Sequence, residues 1–86
     1  MELNKINTME DVEKFLRYVM VDLGLGWDFH PDDDFAKYTT ADGSVRFSAA
    51  EAEQLNNAID RCFEIGDKYN QDIYHHALQI VKTIEI

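Results

Sequence analysis

The chain has 86 residues, 45% of them hydrophobic and 12% aromatic, which suffices for one small core, assigned to a single helical domain over 1–86, and argues against disorder. Seventeen acids against eight bases give a net charge of −9, a field that repels phosphates and so disfavours direct nucleic-acid or anionic-membrane binding. The lone cysteine, Cys62, excludes an internal disulfide, and no uncharged run approaches the ~20 residues of a bilayer span.

Met1–Glu10 shows neither a basic n-region nor an apolar h-region, so a cytoplasmic setting is expected. Thr8 is a good N-cap, and Glu10 and Asp11 fall where the helix dipole favours carboxylates. Val12, Phe15, Leu16, Val19 and Leu23 then recur at three- and four-residue steps. This predicts a long first helix over 8–23, stopped by Gly24 or Gly26.

The connector over 24–47 lacks strong periodicity. It holds five of the ten aromatics (Trp27, Phe29, Phe35, Tyr38, Phe47), five carboxylates (Asp28, Asp32, Asp33, Asp34, Asp42) and the only proline. A connection this long in a small domain is usually functional or fastened by its own side chains. Pro31 followed by three acids predicts a short helix starting there, with Phe35 and Tyr38 on one face. Ala41-Asp42-Gly43-Ser44 predicts a turn, across which Lys37–Thr40 can pair with Val45–Phe47 as a minimal β-hairpin.

Ser48-Ala49-Ala50-Glu51 is a capping-box pattern that opens a second helix over 49–69. Ala52, Leu55, Ile59, Cys62, Gly66 and Tyr69 keep its apolar stripe. Glycine inside a helix costs about 1 kcal/mol relative to alanine. Gly66 lies on the stripe, so it predicts a close approach of another helix, with Asn70 as the terminator. Asp72 caps a third helix over 72–84, where Ile73, Ala77, Ile80 and Ile84 form one stripe and Tyr74, Leu78 and Val81 a second. A face that wide needs covering from two sides, by the aromatic connector or by another subunit. The fold class is mainly α: three helices, the last two an antiparallel hairpin, with the connector packed across them.

Several constellations suggest chemistry and fall short of it. Gly24-Leu25-Gly26 lacks the third glycine of a dinucleotide fingerprint and follows a helix, not a strand. Asp28, His30, Asp32 and Asp34 alternate, but neither register supplies the glycine and glutamate of a calcium loop. His75 and His76 point about 100° apart on a helix and cannot chelate together. Asp72 and His76 share a face, where a structural zinc site would need two further ligands, such as His30 or Cys62. Cys62 falls on the buried stripe, where a thiol packs as a small hydrophobe and not as a nucleophile.

The aromatic cluster has two readings. In one, Trp27, Phe29, Phe35 and Phe47 fold back as a lid over helices one and three. In the other, part of the connector is an exposed patch ringed by aspartates and suited to a basic protein partner. The residues that would form that patch are Trp27, Phe29, Asp32, Asp33, Asp34, Phe35 and Tyr38, joined by Tyr74 and Leu78 of helix three. The expected function is a non-enzymatic interaction module without a cofactor, its partner a protein or a second copy. The alternatives are an acidic decoy for a nucleic-acid-binding protein, and a metal site at Asp28, His30, Asp32 and His76.

Overall fold

A computed structural model describes residues 3–84; Met1, Glu2, Glu85 and Ile86 lie outside that range. Among the described residues three α-helices carry the fold, α1 (Met9–Arg17), α2 (Ala49–Lys68) and α3 (Ile73–Ile84), and no strand forms. None of them is long and apolar enough to cross a membrane.

At the start of α1, the Thr8 hydroxyl accepts from the Asp11 N–H at 3.1 Å while the Asp11 carboxylate accepts from Thr8 N–H at 3.1 Å. Two otherwise orphaned donors are thereby satisfied reciprocally. The predicted helix to residue 23 keeps its helical path, but its last stretch, Tyr18–Asp22, is a wider π turn in which Leu23 N–H donates to the Tyr18 carbonyl at 2.9 Å. Val12, Phe15, Leu16, Val19 and Met20 are buried along this span. Gly24 (φ 75°) and Gly26 (φ 49°) then turn the chain with left-handed backbone that other residues adopt only at a cost.

Helix α2 opens on the predicted box: Ser48 Oγ accepts from Glu51 N–H at 3.1 Å, and Glu51 Oε1 accepts from Ser48 N–H at 3.1 Å. It closes as predicted at Asn70, whose φ is 55°. There Gln71 N–H reaches the Gly66 carbonyl at 2.8 Å and Asn70 N–H reaches that of Asp67 at 3.3 Å, a Schellman closure. A methyl group on Gly66 would lie 2.9 Å from both the Gln71 carbonyl oxygen and Ile73 Cδ1. The close approach inferred for Gly66 is therefore made by the turn into α3 and by the first residue of that helix.

Asp72 Oδ1 accepts from Tyr74 N–H at 2.9 Å and starts α3. Ile73, Ala77, Ile80 and Val81 are buried, and α1 packs against both α2 and α3. Phe63, near the end of α2, meets Tyr74 near the start of α3 with ring centroids 5.8 Å apart, so the chain doubles back at the turn. His76 ties α3 to α1 through Glu13 Oε1, 3.0 Å from its Nδ1.

The connector is fastened by side chains in place of a ladder. Phe35 is its hub, fully buried, with its ring 5.7–5.9 Å from those of Phe29, Tyr38 and Phe47. Two expectations need correcting here. No helix starts at Pro31: His30–Asp33 is a turn closed by Asp33 N–H on the His30 carbonyl at 2.9 Å, and a single 3-10 turn, Phe35–Lys37, follows with Asp34 as its cap. The reason is Asn56 of α2, whose side-chain oxygen takes the Phe35 N–H at 2.9 Å and fixes the start of the turn at that residue. The hairpin, in turn, shrinks to one antiparallel bridge between Thr39 and Val45.

Nor is the aromatic span a single lid over helices one and three. Its Phe35–Lys37 turn rests on α2, while a 3-10 turn at Gly26–Asp28 rests on α3 and the π turn. Trp27 stays outside the core that Phe29, Phe35 and Phe47 enter.

Candidate interaction groove

Because the Gly26–Asp28 turn sits against α3 with Trp27 at its centre, the indole projects beside the helix without entering the core. It is 57% exposed, against 40% for Tyr74 and 41% for Leu78. These three side chains border one groove of about 280 Å³, floored by Met20, Phe29, Ala77 and Val81 and bounded by His30 and Pro31. Tyr74 and Leu78 reach it because they lie one turn apart on α3, on the edge of the stripe that Ile73, Ala77 and Ile80 bury.

The wall at Tyr74 is held on three sides. Its ring meets His30 edge-on with centroids 5.9 Å apart, it meets Phe63 at 5.8 Å, and its hydroxyl donates to Asp32 Oδ1. That bond to a carboxylate raises the Tyr74 phenol above its ordinary value. Across the turn, Tyr38 Oη accepts from His30 N–H at 3.1 Å and donates to Asp33 Oδ2 at 3.0 Å. Burial, followed by the opposing bond from His30 N–H and the bond to Asp33, takes the Tyr38 phenol up to about 12. The two tyrosines thus spend Asp32 and Asp33 as struts that hold the connector's edge of the groove.

The nine residues expected to form an interaction patch separate into three groups. Trp27, Tyr74 and Leu78 come together at the groove, with Asp32 beside it on the Tyr74 hydroxyl, while Asp33 lines a separate hollow against α2. Phe29 floors the groove but is only 6% exposed, Phe35 is wholly buried and Tyr38 is half-buried, so these rings build the connector's core instead of its surface. Asp34 is a cap, held by the Ala36 N–H at 2.9 Å and the Asn56 amide at 2.7 Å; these donors lower its carboxyl below the usual value.

Sequence reasoning missed the floor residue Met20, the boundary residues His30 and Pro31, and the clip residue Asn56. Asn56-Asn57 in mid-helix was the available signal, since asparagine is a poor helix former that persists there when its amide has a task.

Among the described residues no group of three or more histidine, cysteine or acidic side chains gathers as a metal site. Of the four residues of the metal alternative, His30 and Asp32 are 3.9 Å apart, while His76 has Glu13 at 3.0 Å from one ring nitrogen and Gln71 at 3.1 Å from the other. Cys62 is fully buried, and burial pushes its thiol up to about 12, so at neutral pH it is a protonated packing group. No family model matches the chain, and neither the curated proteins nor the solved structures contain a significant match to it.

Proposed function

We propose that this protein is a non-enzymatic interaction module that presents the groove between its connector and α3 to a protein partner. One observation carries the reading: three large apolar side chains from two distant parts of the sequence, Trp27 of the connector and Tyr74 and Leu78 of α3, stand exposed around one apolar cleft. Exposed apolar clusters are costly in water unless something covers them, and aromatic residues beside a buried floor are the usual anchors of interfaces. The cleft's volume of about 280 Å³ is at the small end for a ligand pocket and has room for one or two side chains of another protein.

The acidic-decoy reading has less support. Asp11, Asp34, Asp42 and Glu51 each accept hydrogen bonds within their own caps and turns, which removes them from a free row of phosphate-like charges. A single buried cysteine suits a reducing compartment, so a cytoplasmic setting is part of the proposal.

A photo-crosslinking residue placed at position 78 and, as a control, at the exposed Glu53 tests the reading in cells of the source organism. Adducts formed at 78, lost with Trp27→Ala and absent from the Glu53 control, are the expected result. Equal labelling at both positions overturns it. An adduct at twice the chain's mass of 10.0 kDa identifies a second copy as the partner.

A further inference from the structure

We infer that the occupant of this groove is the apolar face of a cationic amphipathic helix, an inference that rests on the groove being the working surface. Three features lead there. The first concerns what the walls offer. On one side is α3, whose main-chain groups are spent inside the helix. On the other, the Gly26 carbonyl accepts from Phe29 N–H, and His30 N–H is taken by Tyr38. The connector wall is a 3-10 turn and, among the described residues, no strand borders the groove, so a partner seated here finds no sheet edge to extend, and the Thr39–Val45 bridge is not part of the lining. Recognition falls to side chains, which is how a helix laid in a groove is read, through anchors one turn apart.

The second feature is charge. Asp28, next to Trp27 in the chain, and Asp32, which accepts from the Tyr74 hydroxyl, are exposed beside the groove, and the chain as a whole carries −9. Lys82, one turn beyond Leu78, is the basic residue on the stripe that leads into the groove. A second copy in a two-fold arrangement would bring each acidic edge toward another acidic surface. A helix with lysine or arginine flanking its apolar stripe meets the opposite sign, gaining association rate and orientation.

The third feature is the indole itself. Among the described residues the Trp27 indole N–H meets no acceptor, and the half-exposed ring stands at the groove's margin, where that donor can serve a carbonyl or side-chain acceptor of the arriving helix.

The test uses the full chain and three tryptophan-free peptides of about four helical turns. One has leucines spaced for a single apolar face with lysines elsewhere; the second keeps that face and replaces the lysines with glutamates; the third scrambles the first. Calorimetry and the emission of Trp27, the chain's sole tryptophan, report binding. The cationic peptide is expected to saturate, to blue-shift the emission, and to bind at least about tenfold more tightly than the other two. Leu78→Asp is expected to weaken it at least about tenfold, the loss of one hot-spot anchor. Raising the salt from about 0.05 to about 0.5 M is expected to weaken it as strongly.

Equal binding of the cationic and acidic peptides overturns the charge assignment and leaves the groove standing. Equal binding of the scrambled peptide overturns the helix. Absence of binding by all three, with no adduct at position 78, overturns the groove itself. A concentration-dependent dimer abolished by Leu78→Asp gives the groove to a second copy and overturns the cationic occupant.

Discussion

The side chain of Asn56, midway along α2, donates to Asp34 Oδ1 at 2.7 Å while its own oxygen accepts the Phe35 N–H at 2.9 Å. Both halves of one amide are thus spent on adjacent residues of the connector. The same Asp34 oxygen also takes the Ala36 N–H at 2.9 Å. Those bonds set Phe35 into the middle of three rings, and Phe29, one of those rings, floors the groove. A polar residue on a helix therefore governs a surface some distance from it.

Replacing Asn56 with alanine is expected to cost about 1–3 kcal/mol, because it leaves the Phe35 N–H without its partner and takes one of two donors from the Asp34 carboxylate. Urea unfolding measures the loss, and limited proteolysis shows where it falls, with new cleavage in the connector before any in α2. Asn56→Asp sets a second carboxylate against Asp34. It is expected to be worse than alanine at neutral pH and to recover as the pH is lowered and the pair takes up a proton.

Gly66→Ala separates local propensity from packing. On an open helix the change would gain about 1 kcal/mol. Here the new methyl group meets a backbone carbonyl oxygen at 2.9 Å and Ile73 at the same distance, and a main-chain atom cannot step aside cheaply. Overpacking of that kind costs about 1–3 kcal/mol, so the expected outcome is a net loss of stability, read as a lower urea midpoint with an unchanged slope.

These two sites also mark how far the sequence could be read. Helix stripes, the Ser48–Glu51 box, the Asp72 cap and the left-handed Asn70 were all legible, because each depends on residues within one or two turns of the other. The π turn at Tyr18–Asp22 left no local signature. The start of the Phe35 turn was misplaced because a partner from a distant helix, Asn56, outweighs the preference of Pro31 for a first helical position. The groove was half legible. Trp27, Tyr74 and Leu78 stood out singly as large apolar residues in polar company, but their meeting at one cleft is a property of the fold.

Stability is expected to fall on both sides of neutrality, for separate reasons. Asp42 is drawn from 3.8 down to about 2, first by the Thr40 hydroxyl and then by the Ser44 N–H. Asp11, Asp34 and Glu51 are lowered too, chiefly by backbone N–H groups of Asn7, Ala36 and Ser48. A carboxyl that binds protons less readily when folded stabilises the fold above its unfolded value. The contribution fades as the pH drops through the folded one. The urea midpoint should therefore decline from about pH 4.5 toward about pH 2, and Asp42→Asn should flatten part of that slope. On the alkaline side the burial of Cys62 and Tyr38 raises their values from 9.0 and 10.0 to about 12 in each case. Their contribution is complete below pH 9 and is lost as the pH climbs toward 12. Cys62→Ala should start from a lower midpoint, because it leaves a cavity, yet lose less of it between those limits.

The exposed trio and the buried rings should respond oppositely to truncation. Phe35 is fully enclosed, so Phe35→Ala is expected to remove about 3–5 kcal/mol, enough to threaten folding of so small a domain. Trp27 is 57% exposed and Leu78 41%, so Trp27→Ala and Leu78→Asp remove little packing and are expected to shift stability by no more than about 0.5 kcal/mol. Acrylamide should quench Trp27 freely in the native protein, at a rate near that of the unfolded chain. A large stability cost for either surface substitution, or an indole shielded from the quencher, would mean that these residues are part of the core. Neutral substitutions together with an open indole would leave this apolar surface with no structural duty inside the chain, and hence free to be selected for what it binds.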